Sequence, residues 1–414
     1  MGLSEHTIFW HVYPLGFTGA PVRPASDAER ARLPRLRHVA SWLDHLIGLG
    51  CNGLLLGPVF DSSTHGYDTL DYFRIDPRLG GLDDFDHLVA EARERGVAVV
   101  LDGVFNHVGS EHPLYRAALA SADAPENELF RIDWSSGRPR AHDFEGHGSL
   151  VALDHSQPAV ERLVADVMTH WLARGVAGWR LDAAYAVPAE FWARVLPQVR
   201  AQFPDAWFLG EMIHGDYAGY VAASGLDSVT QYELWKAVWS SLRDGNFFEL
   251  DHALTRHNEF LDAFVPQTFV GNHDVTRIAT RVGAPAAVLA AALLFTVGGT
   301  PSVYYGDEVA AQGLKLEDWG GDDQVRGMYP ATPAELPASG AAMLRAHTEL
   351  IGLRRRHPWL VRARTRALQV TNTAYSYESV GPDGQTLRVD LSLDAAGPTA
   401  TVSDASSVLW STAG

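Results

Sequence analysis

Four groups of polar residues stand out in this 414-residue chain, because each closes a short apolar run. Asp102 ends the run at 97–101 and is followed by Asn106 and His107. Arg180 and Asp182 end 176–181, and Glu211 ends 207–210 with His214 three residues on. Asn272, His273 and Asp274 follow 268–271. Carboxylates at these strand ends, in a chain with a single cysteine, Cys51, suit acid–base and nucleophilic work on a glycosidic bond. Retaining cleavage of such a bond uses two carboxyl groups about 5–5.5 Å apart, one attacking the anomeric carbon and one protonating the leaving oxygen. Asp182 and Glu211, at the ends of neighbouring strands, can supply that pair. The attacking group must stay ionised, and Arg180, two residues earlier on the same strand face, can hold its charge. The acid must keep its proton near neutrality, which takes a less polar niche or a neighbouring carboxylate.

A metal centre is the rival use of such residues, and His65, His107, His142 and His147 could be drawn into one. No HExxH and no paired CxxC spacing is present, so no catalytic metal is expected. Twelve tryptophans and an aromatic content of 10% give flat apolar faces on which sugars stack. Trp134, Trp235, Trp239 and Trp319 are candidates for outer sugar subsites, with core or loop packing the equal alternative.

The elements that must position these residues repeat. Apolar runs at 8–13, 53–56, 97–102, 176–181, 207–210, 227–230, 268–271 and 301–305 read as eight strands. Helical patterns fall between them, at 36–47, 84–95, 158–174, 190–203 and 286–295. Continuous apolar strands alternating with helices indicate a parallel sheet covered on both faces, and eight of them predict a (β/α)8 barrel. An open doubly wound sheet is the alternative, but no Gly-rich phosphate turn follows the first strand. In a barrel the polar groups fall on the C-terminal face, where active sites lie. The link at 106–157 is too long for a loop and helix and reads as a small inserted domain. The barrel then occupies 1–105 and 158–356, and the alternating segments at 357–414 predict a short antiparallel β domain.

At these residues the sequence resembles the α-amylase family of retaining α-glucan enzymes, over about residues 7–330. Asp102-Gly103-Val104-Phe105-Asn106-His107 resembles its first signature. Gly178-Trp179-Arg180-Leu181-Asp182 resembles the nucleophile signature, Phe208-Leu209-Gly210-Glu211 the acid/base signature, and Phe269-Val270-Gly271-Asn272-His273-Asp274 the fourth. Leu150-Val151-Ala152-Leu153-Asp154 is similar to a short fifth motif, and residues 299–308 to the eighth strand and its loop. The resemblance implies that Asp182 is the nucleophile, Glu211 the general acid/base and Asp274 the transition-state stabiliser. It implies that Arg180 orients Asp182, that His107 and His273 hydrogen-bond the sugar, that Tyr67 stacks beneath it, and that Asp102 is a buried structural acid. His214 either touches the next sugar or caps its loop. Asn106 matches a calcium ligand of many members, but the inserted domain lacks an acidic cluster to complete the shell, so no cofactor or metal is expected. The motifs are most similar to the neopullulanase and cyclomaltodextrinase group. The first strand starts near residue 7, so the N-terminal β domain common in that group is not expected.

Composition narrows the partners. Thirty-three Lys and Arg against 50 Asp and Glu give a net charge of −17, which repels phosphate backbones and anionic bilayers, so neither nucleic acid nor a membrane is an expected partner. One cysteine excludes an intrachain disulfide, the N-terminus shows no signal peptide, and no apolar stretch can span a bilayer, so a cytoplasmic location is expected. The resulting expectation is a retaining hydrolase of α-1,4-linked maltooligosaccharides or related small α-glucans. The alternative is a transglycosylase or isomerase on trehalose, sucrose or maltose. The sequence sets no oligomeric state.

Overall fold

The computed structural model describes residues 2–136, 138–318 and 320–412. Eight parallel strands form the central sheet: β1 (Phe9–Val12), β2 (Gly53–Leu56), β3 (Ala98–Gly103), β4 (Gly178–Leu181), β5 (Trp207–Gly210), β6 (Ser228–Val229), β7 (Gln267–Phe269) and β8 (Thr300–Tyr304). The sheet runs in the order β6-β5-β4-β3-β2-β1-β8-β7, and a bridge from Thr230 to Gln267 joins its two edges. This is the (β/α)8 barrel expected from the alternating runs.

Side chains along a strand alternate between the two faces of the sheet, and the barrel uses this to carry an apolar floor and a polar mouth on the same face. Phe9, Leu55, Val100, Trp207 and Leu209 form a small cluster of their own, with Phe9 stacked on Trp207 at 5.3 Å. Two residues past Phe9, Val100 and Leu209 come His11, Asp102 and Glu211. Leu54, Leu56, Val99, Leu101, Trp179, Leu181 and Phe208 belong instead to the large core beneath the helices. Gly178 starts β4 without a side chain for a steric reason: a Cβ there would lie 2.1 Å from the Trp207 carbonyl oxygen. The same strand face then carries Arg180 and Asp182.

The helices follow their apolar faces with two differences from the sequence pattern. The face at 36–47 is two helices, Leu36–Ala40 and Leu43–Leu49. Trp42 lies between them, its ring against Trp10 at 6.2 Å and Phe17 at 5.9 Å and its indole N–H donating to His38. The region at 217–263 holds three helices that the strand-centred reading did not place: Tyr217–Ser224, Tyr232–Asp244 and Phe247–Ala263.

Between β3 and β4 the chain builds small antiparallel pairings. His107–Gly109 pairs with His147–Ala152, which pairs in turn with Asp143–Phe144. The last part of the chain is a five-stranded antiparallel sheet: β9 (Arg364–Val370), β10 (Ala374–Val380), β11 (Thr386–Asp394), β12 (Gly397–Ser403) and β13 (Val408–Ser411). It is fixed to the barrel helix Ala284–Thr296, where Thr296 Oγ1 bonds Tyr377 Oη at 2.6 Å and the Ser379 hydroxyl donates to Thr296 O at 2.5 Å.

Candidate active site

The mouth of the barrel gathers Asp102, Arg180, Asp182, Glu211, His273 and Asp274 from the ends of β3, β4, β5 and β7. Arg180 lies at the centre and is almost wholly buried. Its Nη1 donates to both oxygens of Asp102, at 2.8 and 2.7 Å, and its Nη2 reaches Glu211 Oε1 at 2.6 Å. The contact with Asp182 Oδ1 is the longest, 3.4 Å. Arg180 is therefore committed first to Asp102 and Glu211 rather than to Asp182, the acid the sequence pairs it with. One guanidinium between three carboxylates keeps them together despite their like charges.

The turn after β4 adds a further donor. Ala183 has a left-handed backbone, φ +46°, which costs a non-glycine residue energy. In that conformation its N–H donates to Glu211 Oε2 at 3.0 Å. Glu211 Oε1 also accepts from the Tyr232 hydroxyl at 3.3 Å, and Tyr232 is itself held by the Asn272 amide at 2.8 Å. Burial and the adjacent Glu211 push the Asp182 carboxyl well above the ordinary range, with Arg180 opposing them.

Asp274 is held from another side. Burial works against its charge, but His273 and the Arg326 guanidinium keep its carboxyl well below the ordinary range. His273 Nε2 lies 2.9 Å from Asp274 Oδ2, and Arg326 Nη2 donates to Asp274 Oδ1 at 2.7 Å. Arg326 also pairs with Asp322 at 3.0 Å, donates from Nε to His273 O at 2.9 Å, and lies over the Tyr13 ring at 4.9 Å.

Tyr67 joins these groups. Its hydroxyl donates to Asp102 Oδ2 at 3.0 Å and touches His273 Nε2, and its ring runs parallel to His273 at 5.4 Å. His107 has both ring nitrogens on the protein: Nε2 faces Tyr67 O at 3.0 Å and Nδ1 the Asn106 amide at 3.0 Å. Burial drops it to about 4, so the ring is neutral near pH 7. As it stands, His107 braces Tyr67 rather than presenting a free donor. His273 Nδ1 and His11 Nε2 are buried without a hydrogen-bond partner among the described residues. His214 is exposed, its ring 5.4 Å from that of Tyr185.

The residues around Asn106 do not fit a calcium shell. The carboxylate of Asp154 is filled by the chain's own donors: Arg131 Nε at 3.0 Å, the Ser156 hydroxyl at 2.7 Å and backbone N–H at 3.2 Å, and the Gln157 amide at 3.2 Å. A guanidinium already supplies the positive charge there, and hard cations need several free oxygens. Among the described residues no group of three or more His, Cys, Asp or Glu side chains is placed to hold a metal ion.

Sequence spacing missed Arg326, Tyr232, Tyr13 and His11. Arg326 lies in the irregular segment after β8, where no period marks it. Tyr232 opens a helix next to the short strand β6. His11 and Tyr13 lie in or just after β1, and alternation along β1 was the signal that could have found His11. Of the four tryptophans, Trp235 and Trp239 pack against each other at 5.9 Å and against Arg281. Trp134 donates its indole N–H to Asn127 at 3.3 Å, and Trp319 lies outside the described residues.

A (β/α)8 barrel whose strand ends gather three carboxylates around a buried arginine, beside an aromatic ring, falls in the class of glycosidase barrels. Residues 25–360 match the family described as Alpha amylase, catalytic domain, and the chain belongs to that family. It is 30% identical over 409 residues to neopullulanase 2 of Thermoactinomyces vulgaris, covering 91% of this chain and 67% of that one. The intracellular maltogenic amylase of Bacillus subtilis is 30% identical over 289 residues, covering 67% of this chain and 49% of that one. Among solved structures, the ligand-free cyclic α-maltosyl-(1→6)-maltose hydrolase from Arthrobacter globiformis has a TM-score of 0.83 at 27% identity, covering 97% of this chain and 93% of that one. The chain thus spans two thirds of one curated relative and half of another. No described helix is long and apolar enough to cross a membrane.

Proposed function

We propose that this protein is a retaining hydrolase of α-1,4-linked maltooligosaccharides or related small α-glucans. The observation that carries the reading is the placement of Asp182 and Glu211 on one guanidinium, with Asp274 held separately by His273 and Arg326. In the first step Glu211 gives its proton to the glycosidic oxygen, the bond from that oxygen to the anomeric carbon breaks, and Asp182 forms an ester to that carbon. In the second step Glu211 takes a proton from water, whose oxygen attacks the same carbon and releases Asp182. Two inversions leave the α configuration unchanged. Asp274 and His273 grip ring hydroxyls, Tyr67 supports the ring, and Asp102 fixes Arg180.

The resting arrangement bears on the first step. The Ala183 N–H, Arg180 and Tyr232 all donate to Glu211. Burial meanwhile favours the protonated form of Asp182. The reactive form is the one with the proton on Glu211 and the charge on Asp182.

The names of the neopullulanase, maltogenic amylase and maltosyl-maltose hydrolase relatives support small α-glucans as the substrate class. The intracellular Bacillus relative supports a cytoplasmic location. The chemistry drawn uses no cofactor. The test is proton NMR of maltose, maltotriose, cyclodextrin, pullulan, trehalose and sucrose with wild type and Asp182→Asn. Release of α-anomeric sugar that falls by on the order of 10⁴ in the variant is expected. New glycosidic signals with little net hydrolysis select the transferase instead, and activity unchanged in Asp182→Asn removes Asp182 from the mechanism.

A further inference from the structure

The end of the barrel opposite the acids carries positive charge that the chain does not balance. Arg354, Arg355 and Arg356 close the helix Ala341–Arg356, and none of the three forms an ion pair with a carboxylate of the described residues. Arg354 is the buried one, 5% exposed. Its Nη1 donates to Phe295 O at 3.0 Å and Val297 O at 2.8 Å, and its Nη2 to Gly299 O at 2.6 Å. A guanidinium has five N–H groups, so its Nε–H and one Nη2 hydrogen are left without an acceptor among the described residues. Arg355 is exposed beside it. It donates to Gly50 O at 2.9 and 2.8 Å, to His6 O at 2.5 Å and to Asn52 Oδ1 at 2.7 Å. Every one of these acceptors is neutral.

Helix ends account for part of the arrangement. The C-termini of Ala284–Thr296 and Ala341–Arg356 meet here, each worth about half a negative charge. Together they offset about one of the three guanidiniums. Burial and the neighbouring Arg355 draw Arg354 down to about 9, as befits a buried cation without a counterion. Arg354 and Arg355 both line a cavity of about 230 Å³, walled otherwise by the Leu3–His6 helix, the starts of β1 and β8, and the turn at Pro358 and Val361. Glu5 is the single acid on that wall among the described residues, and it pairs with neither arginine.

We propose that this cavity binds a phosphate group, free or carried on a small organic molecule, between Arg354 at its base and Arg355 at its rim. Planar guanidinium forks match the oxygens of phosphate, and a dianion supplies the charge that the helix ends leave unbalanced. The carbonyls held by Arg354 lead into β8, and the groups held by Arg355 precede β1 and β2. A bound anion therefore ties together the starts of three neighbouring strands. A ligand that binds only the folded chain stabilises it. The site is independent of the hydrolase reading, because it lies at the strand starts and the acids stand at the strand ends.

Calorimetric titration with inorganic phosphate tests the site, beside thermal denaturation in phosphate and in chloride of equal ionic strength. Wild type should bind phosphate saturably, and roughly 10 mM should raise Tm by about 2 °C over chloride. Arg355→Gln removes the rim charge but keeps an amide donor. It should weaken phosphate binding about tenfold and leave kcat on maltotriose unchanged. Glu5→Gln removes a repelling charge and should tighten binding about threefold. A hexose phosphate that binds more tightly than inorganic phosphate assigns the site to phosphate esters, and equal or weaker binding assigns it to the free ion. Wild type that binds neither, or Arg355→Gln that binds as wild type does, overturns the proposal. Unchanged or weaker binding in Glu5→Gln overturns it as well, because the anion then lies elsewhere.

Discussion

Arg180 meets more negative charge than one guanidinium can balance, and the shortfall falls on Asp182. Asp102 takes two short bonds and Glu211 one, leaving Asp182 a contact of 3.4 Å. Burial and the neighbouring Glu211 therefore raise its carboxyl. Attack requires the Asp182 anion, so activity is lost as pH falls through that raised value. The acid limb of kcat/KM should lie above the ordinary aspartate value of about 3.9. A pH profile on maltotriose checks this, and an acid limb at or below that value contradicts the assignment. Asp274 behaves oppositely, because Arg326 and His273 keep it ionised. Arg326→Ala removes that charge and the bonds to Asp274 and His273 O, and should lower kcat/KM by about 10- to 100-fold. Lysine, a point charge without the planar fork, should restore only part of it. The acids were legible because each ends an apolar run. Arg326 was not, because it reaches Asp274 from an irregular segment that only folding brings to the mouth.

At the level of elements, the strands were readable and their connections were less so. Each strand announces itself by a short apolar run, and alternation places the polar residue at its end. β6 is only two residues long, Ser228–Val229, because the barrel closes there through the single bridge of Thr230 to Gln267. The helix Tyr232–Asp244 carries Leu234, Val238 and Leu242 four apart on its buried side, a period present in the sequence but overshadowed by the polar residues between. In the inserted segment, Arg131 fills the place a cation would need beside Asp154. Chelator treatment should therefore leave both kcat/KM and Tm unchanged within error. A loss of activity restored by calcium would show that Asp154 exchanges Arg131 for the ion.

At the scale of the whole molecule, the C-terminal sheet meets the barrel helices Phe247–Ala263, Ala284–Thr296 and Ala341–Arg356, through Asn258 with Thr365, Thr296 with Tyr377 and Glu349 with Trp410. Ala284–Thr296 is apolar almost throughout, and a helix apolar all round must be covered all round. The sequence shows that pattern, too short to span a bilayer, but not what covers it. The barrel wall covers one side and the C-terminal sheet the other, with Tyr375, Tyr377, Leu387, Val389, Leu391, Ala400 and Val402 buried between them. Tyr377 is fully buried, and its hydroxyl bonds Thr296 Oγ1 at 2.6 Å. Truncating it removes a large ring and leaves a cavity at the junction, a change that costs about 3–5 kcal/mol for buried aromatics. None of its hydrogen-bond or ring contacts is a group at the barrel mouth. Tyr377→Ala should therefore lower Tm while leaving kcat per folded molecule unchanged, measured by thermal denaturation beside maltotriose hydrolysis well below the transition. If kcat falls with Tm still high, the sheet acts on the active site and not only on stability.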